Sequence, residues 1–447
     1  MSNRESENLD LNPDVDLKRR TFLKVGSMSG IAGTIGAVSA STGLFSSGEA
    51  KADHHPVSVE EHDDFPIPMA SDYEPFHQRN TEFGRFIRNR EKISLRKTVD
   101  ENTPGMGRLD IALANGAWHM QREIAGNTTR TGYNAGFTTW ERKPKGDPYQ
   151  FNSPQEAANA IKRAARLYGA EVVGITKQDP RWDYATLYDA FKDETKTWED
   201  FPFKPKSVIV LGFSMDYEAH TAAPSYISDA TCGEGYNKMV YTGYQLAGFL
   251  HNLGYNAVAS GNDLGMSIPY AISAGLGEGS RMGILVNYSL GPRIRLAKVY
   301  TDFDFVEYDK PKTFGVRNFC KLCQRCADAC PSKSISKDEE PSMYPPEGHD
   351  REPHAVGIEK WYCDTRSCLL YWGESNTSCG ACITACPYNK PDFWHHRLIE
   401  KMNAIMPGET HRFMREMDIL FGYGDTFDPH APEKFWSSDG RHYDGHN

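Results

Sequence analysis

The chain has 447 residues, of which 39% are hydrophobic and 25% charged, with a formal net charge of −10 and a pI near 5.9. That acidity argues against a nucleic-acid partner, while the length exceeds the usual single-domain size and leaves room for one large core plus a smaller module. The 10 cysteines are too few and too clustered for a disulfide scaffold, which is normally small and cysteine-dense throughout.

At the N-terminus, Lys18-Arg19-Arg20-Thr21-Phe22-Leu23-Lys24 reads as a twin-arginine export signal, lacking only the usual Ser or Thr ahead of the arginines. Residues 25–45 hold ten apolar residues, five Gly and six Ser or Thr. A bilayer span needs about 20 largely apolar residues, so a removable segment fits better than an anchor. Ala50-Lys51-Ala52 offers the small residues a signal peptidase reads, with Val38-Ser39-Ala40 as an earlier alternative, so 1–52 is expected to be a signal peptide. Because this route carries folded proteins, it suits a chain whose cofactors are inserted before export. The expected location is the outer face of the cytoplasmic membrane, peripherally held.

Residues 53–150 show little sustained periodicity and are expected to form an irregular unit wrapping the core. An α/β core is expected over 151–310. Ser153 and Pro154 open a predicted helix at 157–168. Strands are predicted at 171–175 and 207–213, the second holding the continuous apolar run Val208-Ile209-Val210-Leu211 of a buried strand. A helix at 236–252 and strands at 255–259 and 284–288 follow. Between them, Gly275-Leu276-Gly277-Glu278-Gly279-Ser280 approaches the dinucleotide pattern G-x-G-x-x-G but has Ser280 where the last glycine belongs. Its glycines are expected to permit close backbone approach, either to another phosphate-bearing cofactor or to a neighbouring helix.

Residues 311–392 carry the chemistry. Cys320-x2-Cys323-x2-Cys326-x3-Cys330-Pro331 is the bacterial-type run for a four-iron (4Fe-4S) cluster, and Cys368-x10-Cys379-x2-Cys382-x3-Cys386-Pro387 is a second set. Zinc sites group their ligands as two well-separated pairs, which this spacing does not do. In two-cluster ferredoxins the fourth cysteine crosses to the other cluster. The rule assigns Cys320, Cys323, Cys326 and Cys386 to cluster one and Cys330, Cys368, Cys379 and Cys382 to cluster two. Cys232 and Cys363 fall outside the pattern as ordinary thiols, although Cys363 competes with Cys368, which is favoured. The C-terminal segment 393–447, with Phe393-Trp394-His395-His396 and a predicted helix near 398–406, is expected to pack on the core.

In combination these features resemble the respiratory reductive dehalogenases. The resemblance is carried by Arg19-Arg20-Thr21-Phe22-Leu23-Lys24, by Ser260-Gly261-Asn262, Ile268-Pro269 and Ala274-Gly275-Leu276-Gly277-Glu278, by Gly291-Pro292-Arg293-Ile294-Arg295-Leu296, and by both cysteine sets. It implies an α+β fold: a nitroreductase-like cobalamin-binding core, with Ser260, Gly275 and Gly277 as cofactor-binding positions, and a ferredoxin-like module with two 4Fe-4S clusters. The corrinoid is implied to sit with its lower base displaced, without the D-x-H-x-x-G signature; Asp428-x-His430-x-x-Glu433 ends in the wrong residue. The family's tyrosine proton donor, asparagine and arginine fall on Tyr236, Asn262 and Arg295. From the residues alone Tyr236 reads equally as a core tyrosine, with Tyr241 and Tyr244 as neighbouring alternatives, Asn262 as a turn and Arg295 as a strand-edge ion-pair residue. Trp372 is a weaker candidate for the substrate channel. Implied partners are a small halogenated substrate, a small membrane anchor protein and a quinol or hydrogenase-type electron donor; a homodimer is compatible with them. Two alternatives stay open: an epoxyqueuosine-reductase-like corrinoid enzyme and a non-catalytic ferredoxin-type subunit.

Overall fold

The apolar run at 208–211 lies at the centre of the molecule, in a four-stranded antiparallel sheet. The computed structural model describes residues 59–91, 98–119, 143–189, 193–390, 411, 415–416, 418–419 and 422–438. The expected signal peptide, the aromatic run at 393–396 and the helix near 398–406 lie outside the described residues. The sheet contains β1 (Val172–Lys177), β2 (Ser207–Ser214), β3 (Ala257–Ser260) and β4 (Ile294–Thr301), in the order β1-β2-β4-β3. The register sets Phe213 opposite Arg295 and Ser260 opposite Lys298.

Successive strand residues face opposite sides, and both sides of this sheet are buried. Val208 and Val210 join Trp182, Tyr270 and Tyr300 on one face. Ile209, Leu211 and Phe213 join Ile161, Met239 and Leu250 on the other. The second face is covered by α3 (Pro154–Leu167), capped by Ser153 as expected, and by α4 (Tyr226–Asn252). With antiparallel pairing throughout the central sheet, the architecture is α+β.

Three elements differ from the sequence expectation. Helix α4 starts at Tyr226 instead of 236, because Ser225 accepts from the Ser228 N–H and caps the chain there. Its first turns contain Ser228, Thr231, Gly233 and Gly235, poor helix formers whose burial outweighs their propensity. Strand β4 was anticipated only as a strand edge at Arg295, without bounds, since Arg295 and Lys298 interrupt its apolar run; both charges prove to be placed at or behind the site. The strand expected at 284–288 shrinks to Leu285–Val286, paired with Glu278–Gly279 in a separate ribbon.

The unit expected to be irregular also contains helices α1 (Glu82–Arg88) and α2 (Arg108–Ala117), the latter packing Ala114 against Tyr226 and Ala230 of α4. The cysteines lie on and around α6 (Val316–Cys323), α7 (Arg325–Asp328), α8 (Thr365–Ser375) and α9 (Ala381–Thr384), while α5 (Ser267–Ser273) belongs to the core. Two buried side chains tie core to module. The Glu278 carboxylate accepts the N–H groups of Phe314, Val316 and Arg317 at the start of α6, where the helix dipole favours a negative group. Fully buried Arg281 donates to the carbonyls of Cys320, Ser336 and Asp338 and stacks on Trp361.

Candidate active site

Tyr236, Asn262 and Arg295, distant in sequence, meet at one place. Tyr236 projects from the middle of α4, Asn262 from the loop after β3, and Arg295 from β4. The Asn262 side-chain amide donates to the Tyr236 hydroxyl at 2.8 Å. The Arg295 guanidinium lies 4.9 Å from the centre of the Tyr236 ring, and Trp118 stacks on the ring at 5.3 Å. Arg295 can lie across the helix because residue 235 is glycine: a Cβ there would stand 2.6 Å from Arg295 Cγ.

The electrostatics favour a charged Arg295. Burial opposes its charge, but the Cys232 thiol and Tyr236 phenol outweigh that and hold it above the usual arginine range. Its Nη2 contacts Cys232 Sγ at 2.9 Å and its Nε contacts Met215 Sδ at 3.3 Å. Among the described residues no carboxylate forms an ion pair with it. An amide donor on the phenolic oxygen and a cation over the ring fix the orientation of the phenol. Because the Tyr236 oxygen accepts from Asn262, its own proton remains free for a third partner.

Asn262 and Arg295 border a cavity of about 520 Å³. Phe65, Ile67, Ile268, Ile272 and Leu285 give it apolar walls, and Arg317, His354 and Lys360 add polar groups. Burial pulls the His354 imidazole down to about 4, so it is neutral at pH 7. Burial likewise pulls the Lys360 ammonium down to about 8; it donates to the Ala355 carbonyl and lies over the Tyr362 ring. Sequence reasoning missed Trp118, Met215, His354 and Lys360. Only Cys232 left a signal, one helical turn before Tyr236.

The cysteines gather in two groups. Cys326 faces Cys320, Cys323 and Cys386, and Cys382 faces Cys379, Cys368, Cys363 and Cys330. All are free thiols. Burial pushes Cys320 to about 11 and Cys323 and Cys368 to about 12, so their thiolates need a bound cationic centre to be stable. Backbone N–H groups aim at the sulfurs, including those of Ser334 at Cys330 and Tyr388 at Cys386. Among the described residues, no three His, Cys, Asp or Glu side chains close to the spacing of a single bound ion; a cubane has its ligands farther apart. The set containing Cys382 is the one beside the active site, for Cys382 packs with Met215 and Cys232. Cys363 stands between that set and the cavity, which it lines.

Other expected positions are put to different uses. Gly275 and Gly277 do not border the cavity: a Cβ on Gly275 would stand 2.4 Å from the Lys310 carbonyl oxygen, and one on Gly277 2.2 Å from that of Val286. Their small size serves backbone packing within the chain; the glycines lining the cavity are Gly279 and Gly283. Ser260 is fully buried and its hydroxyl donates to the Asp263 carbonyl, shaping the loop and not facing the cavity. Trp372 packs on Phe83. Asp428 accepts the His430 N–H and pairs with Lys434, a local turn ahead of the helix Ala431–Ser437.

Comparison with known proteins adds a family context. Residues 319–390 match the 4Fe-4S dicluster domain. The tetrachloroethene reductive dehalogenase of Desulfitobacterium hafniense strain Y51 is 35% identical, over 74% of this chain and 71% of that protein. The protein of the same name from Dehalobacter restrictus is 34% identical over the same shares. A solved catabolic reductive dehalogenase in complex with 3-bromo-4-hydroxybenzoic acid superimposes with a TM-score of 0.62 at 23% identity, covering 82% of this chain. This chain spans about half of that protein's length, 49%.

Proposed function

Since this chain belongs to the reductive dehalogenase family, oxidoreductases acting on carbon–halogen bonds, we propose that it replaces a halogen of a small organohalide by hydrogen, as terminal reductase of organohalide respiration. The observation that carries the reading is the Tyr236 hydroxyl, hydrogen-bonded by Asn262, with Arg295 over the ring, both of these partners lining the cavity. The reaction consumes the organohalide, a pair of electrons and a proton, and yields the hydrogenated product and free halide.

The residues fit a base-off corrinoid in a nitroreductase-like core. Apolar walls suit the faces of a macrocycle, and Arg317, His354 and Lys360 suit its polar periphery. When bound, the corrinoid supplies the low-potential electrons that break the carbon–halogen bond, and two 4Fe-4S clusters feed it. Cys320, Cys323, Cys326 and Cys386 would hold one cluster, and Cys330, Cys368, Cys379 and Cys382 the other. Tyr236 donates the proton. The Asn262 amide and the Arg295 guanidinium hold the Tyr236 ring and its hydroxyl in place for that transfer. Asn262 also reaches the cavity, where its amide can meet substrate or departing halide.

The Arg19-Arg20 signal supports export by the twin-arginine route to the outer face of the membrane. There a small integral-membrane anchor protein and a quinol or hydrogenase-type donor are the partners we propose. No helix among the described residues is long and apolar enough to cross a membrane.

Corrinoid content tests this reading against a cluster-only relay. The reconstituted protein, stripped of its clusters, is expected to show the ultraviolet–visible spectrum of about one corrinoid per chain; a protein holding both clusters without corrinoid would remove the dehalogenase reading. Turnover of a modified nucleoside would favour the epoxyqueuosine-type alternative.

A further inference from the structure

We propose that Lys298 is a positioning residue for the reaction: from beneath the active site it holds the Gly261 carbonyl and thereby fixes Asn262 in the orientation that donates to Tyr236. The inference rests on the reading of Tyr236 as proton donor.

Lys298 is fully buried on β4. Its Nζ donates to the Gly261 carbonyl at 2.6 Å and to Ser267 Oγ at 2.7 Å. That carbonyl belongs to the peptide joining Gly261 to Asn262, so the ammonium fixes the plane from which the Asn262 side chain departs. The rest of the loop is held from the same side. The Tyr184 hydroxyl donates to the Asn262 carbonyl at 3.0 Å, and Gln78 donates to Asp263 at 3.3 Å. Asn262 itself is exposed to the cavity; its orientation therefore depends on a buried anchor.

Lys298 cannot act directly. It stands three residues after Arg295 on one strand, and successive strand residues alternate faces. Arg295 therefore points toward α4, while Lys298 points to the opposite face with Tyr300, and it does not line the cavity. Packing alone does not explain a lysine here, because a buried ammonium is costly unless its charge is used. Among the described residues no carboxylate pairs with it at contact distance; burial pulls Lys298 down to about 7, with Asp263 and Asp183 opposing that through space. Its Nζ donors go to a backbone carbonyl and a hydroxyl, both at the ends of the loop that presents Asn262.

The test is a mutant cycle in the holoenzyme. Lys298→Met is expected to lower kcat about ten- to a hundredfold, as misplacement of a catalytic group does, with iron and corrinoid content unchanged. In an Asn262→Ala background the same substitution is expected to change kcat by less than about twofold, because the residue it positions is gone. Equal losses in both backgrounds, or no loss in either, would overturn the inference. If Lys298→Met does not accumulate as holoprotein, Lys298→Met combined with Asp263→Asn removes both buried charges and carries the same comparison. Wild-type turnover by Tyr236→Phe would remove the reading of the site and this inference together. Impaired Tyr236→Phe with equal Lys298→Met losses in both backgrounds would remove only the inference.

Discussion

Tyr236→Phe is expected to lower kcat by about 10²–10⁴, the usual contribution of a positioned general acid, while both clusters and the corrinoid stay in place. The substitution deletes one oxygen and little else. Trp118 still stacks on the ring, Arg295 still lies over it, and the α4 backbone is unchanged. Only the hydroxyl held by Asn262 is lost. Iron content, the corrinoid spectrum and substrate KM should therefore remain near wild type as turnover collapses. Turnover within a few-fold of wild type would show that the proton comes from another group. Tyr241 is a poor replacement because it is 53% exposed.

A comparably large loss is expected from Cys368→Ala, and a small one from Cys363→Ala. The two thiols lie five residues apart around the same site, and both face Cys330. Cys368 also faces Cys379, completing a set with Cys382. Cys363 instead turns toward the cavity and the Arg281 carbonyl. With two cubanes the holoprotein should carry about eight iron atoms, and Cys368→Ala should carry about four, without measurable turnover. Cys363→Ala should keep its iron. Iron analysis with electron paramagnetic resonance of the reduced protein decides between them: loss of a cluster in Cys363→Ala and its retention in Cys368→Ala would reverse the assignment.

The two cysteine sets stood out because cubane geometry dictates ligand spacing along the chain; in the structure the thiols form two groups, the second of which also takes in Cys363. Strand β2 was legible for a similar reason, since burial on both faces leaves an uninterrupted apolar run. The proton-donor site was not legible from residues alone. Tyr236 lies among other tyrosines, and only the family resemblance selected it together with Asn262 and Arg295. Strand β4 was hidden by the charges of Arg295 and Lys298, because a strand that builds a site departs from the apolar pattern of one that only packs. Gly275 and Gly277 were expected to allow close backbone approach to a phosphate-bearing cofactor or to a neighbouring helix, and the space beside them is taken by the carbonyls of Lys310 and Val286. His354 and Lys360 come to the cavity on irregular backbone, for which no periodicity exists to read.

The central claim is that this chain moves electrons to a carbon–halogen bond and a proton to the carbon left behind. It is tested most directly by supplying the purified holoenzyme with a low-potential reductant and a panel of halogenated ethenes, alkanes and arenes, and counting halide against electrons consumed. At least one member of the panel is expected to release one halide per electron pair, with hydrogen from water in its place. A holoenzyme with full clusters and corrinoid that releases no halide from any member would contradict it.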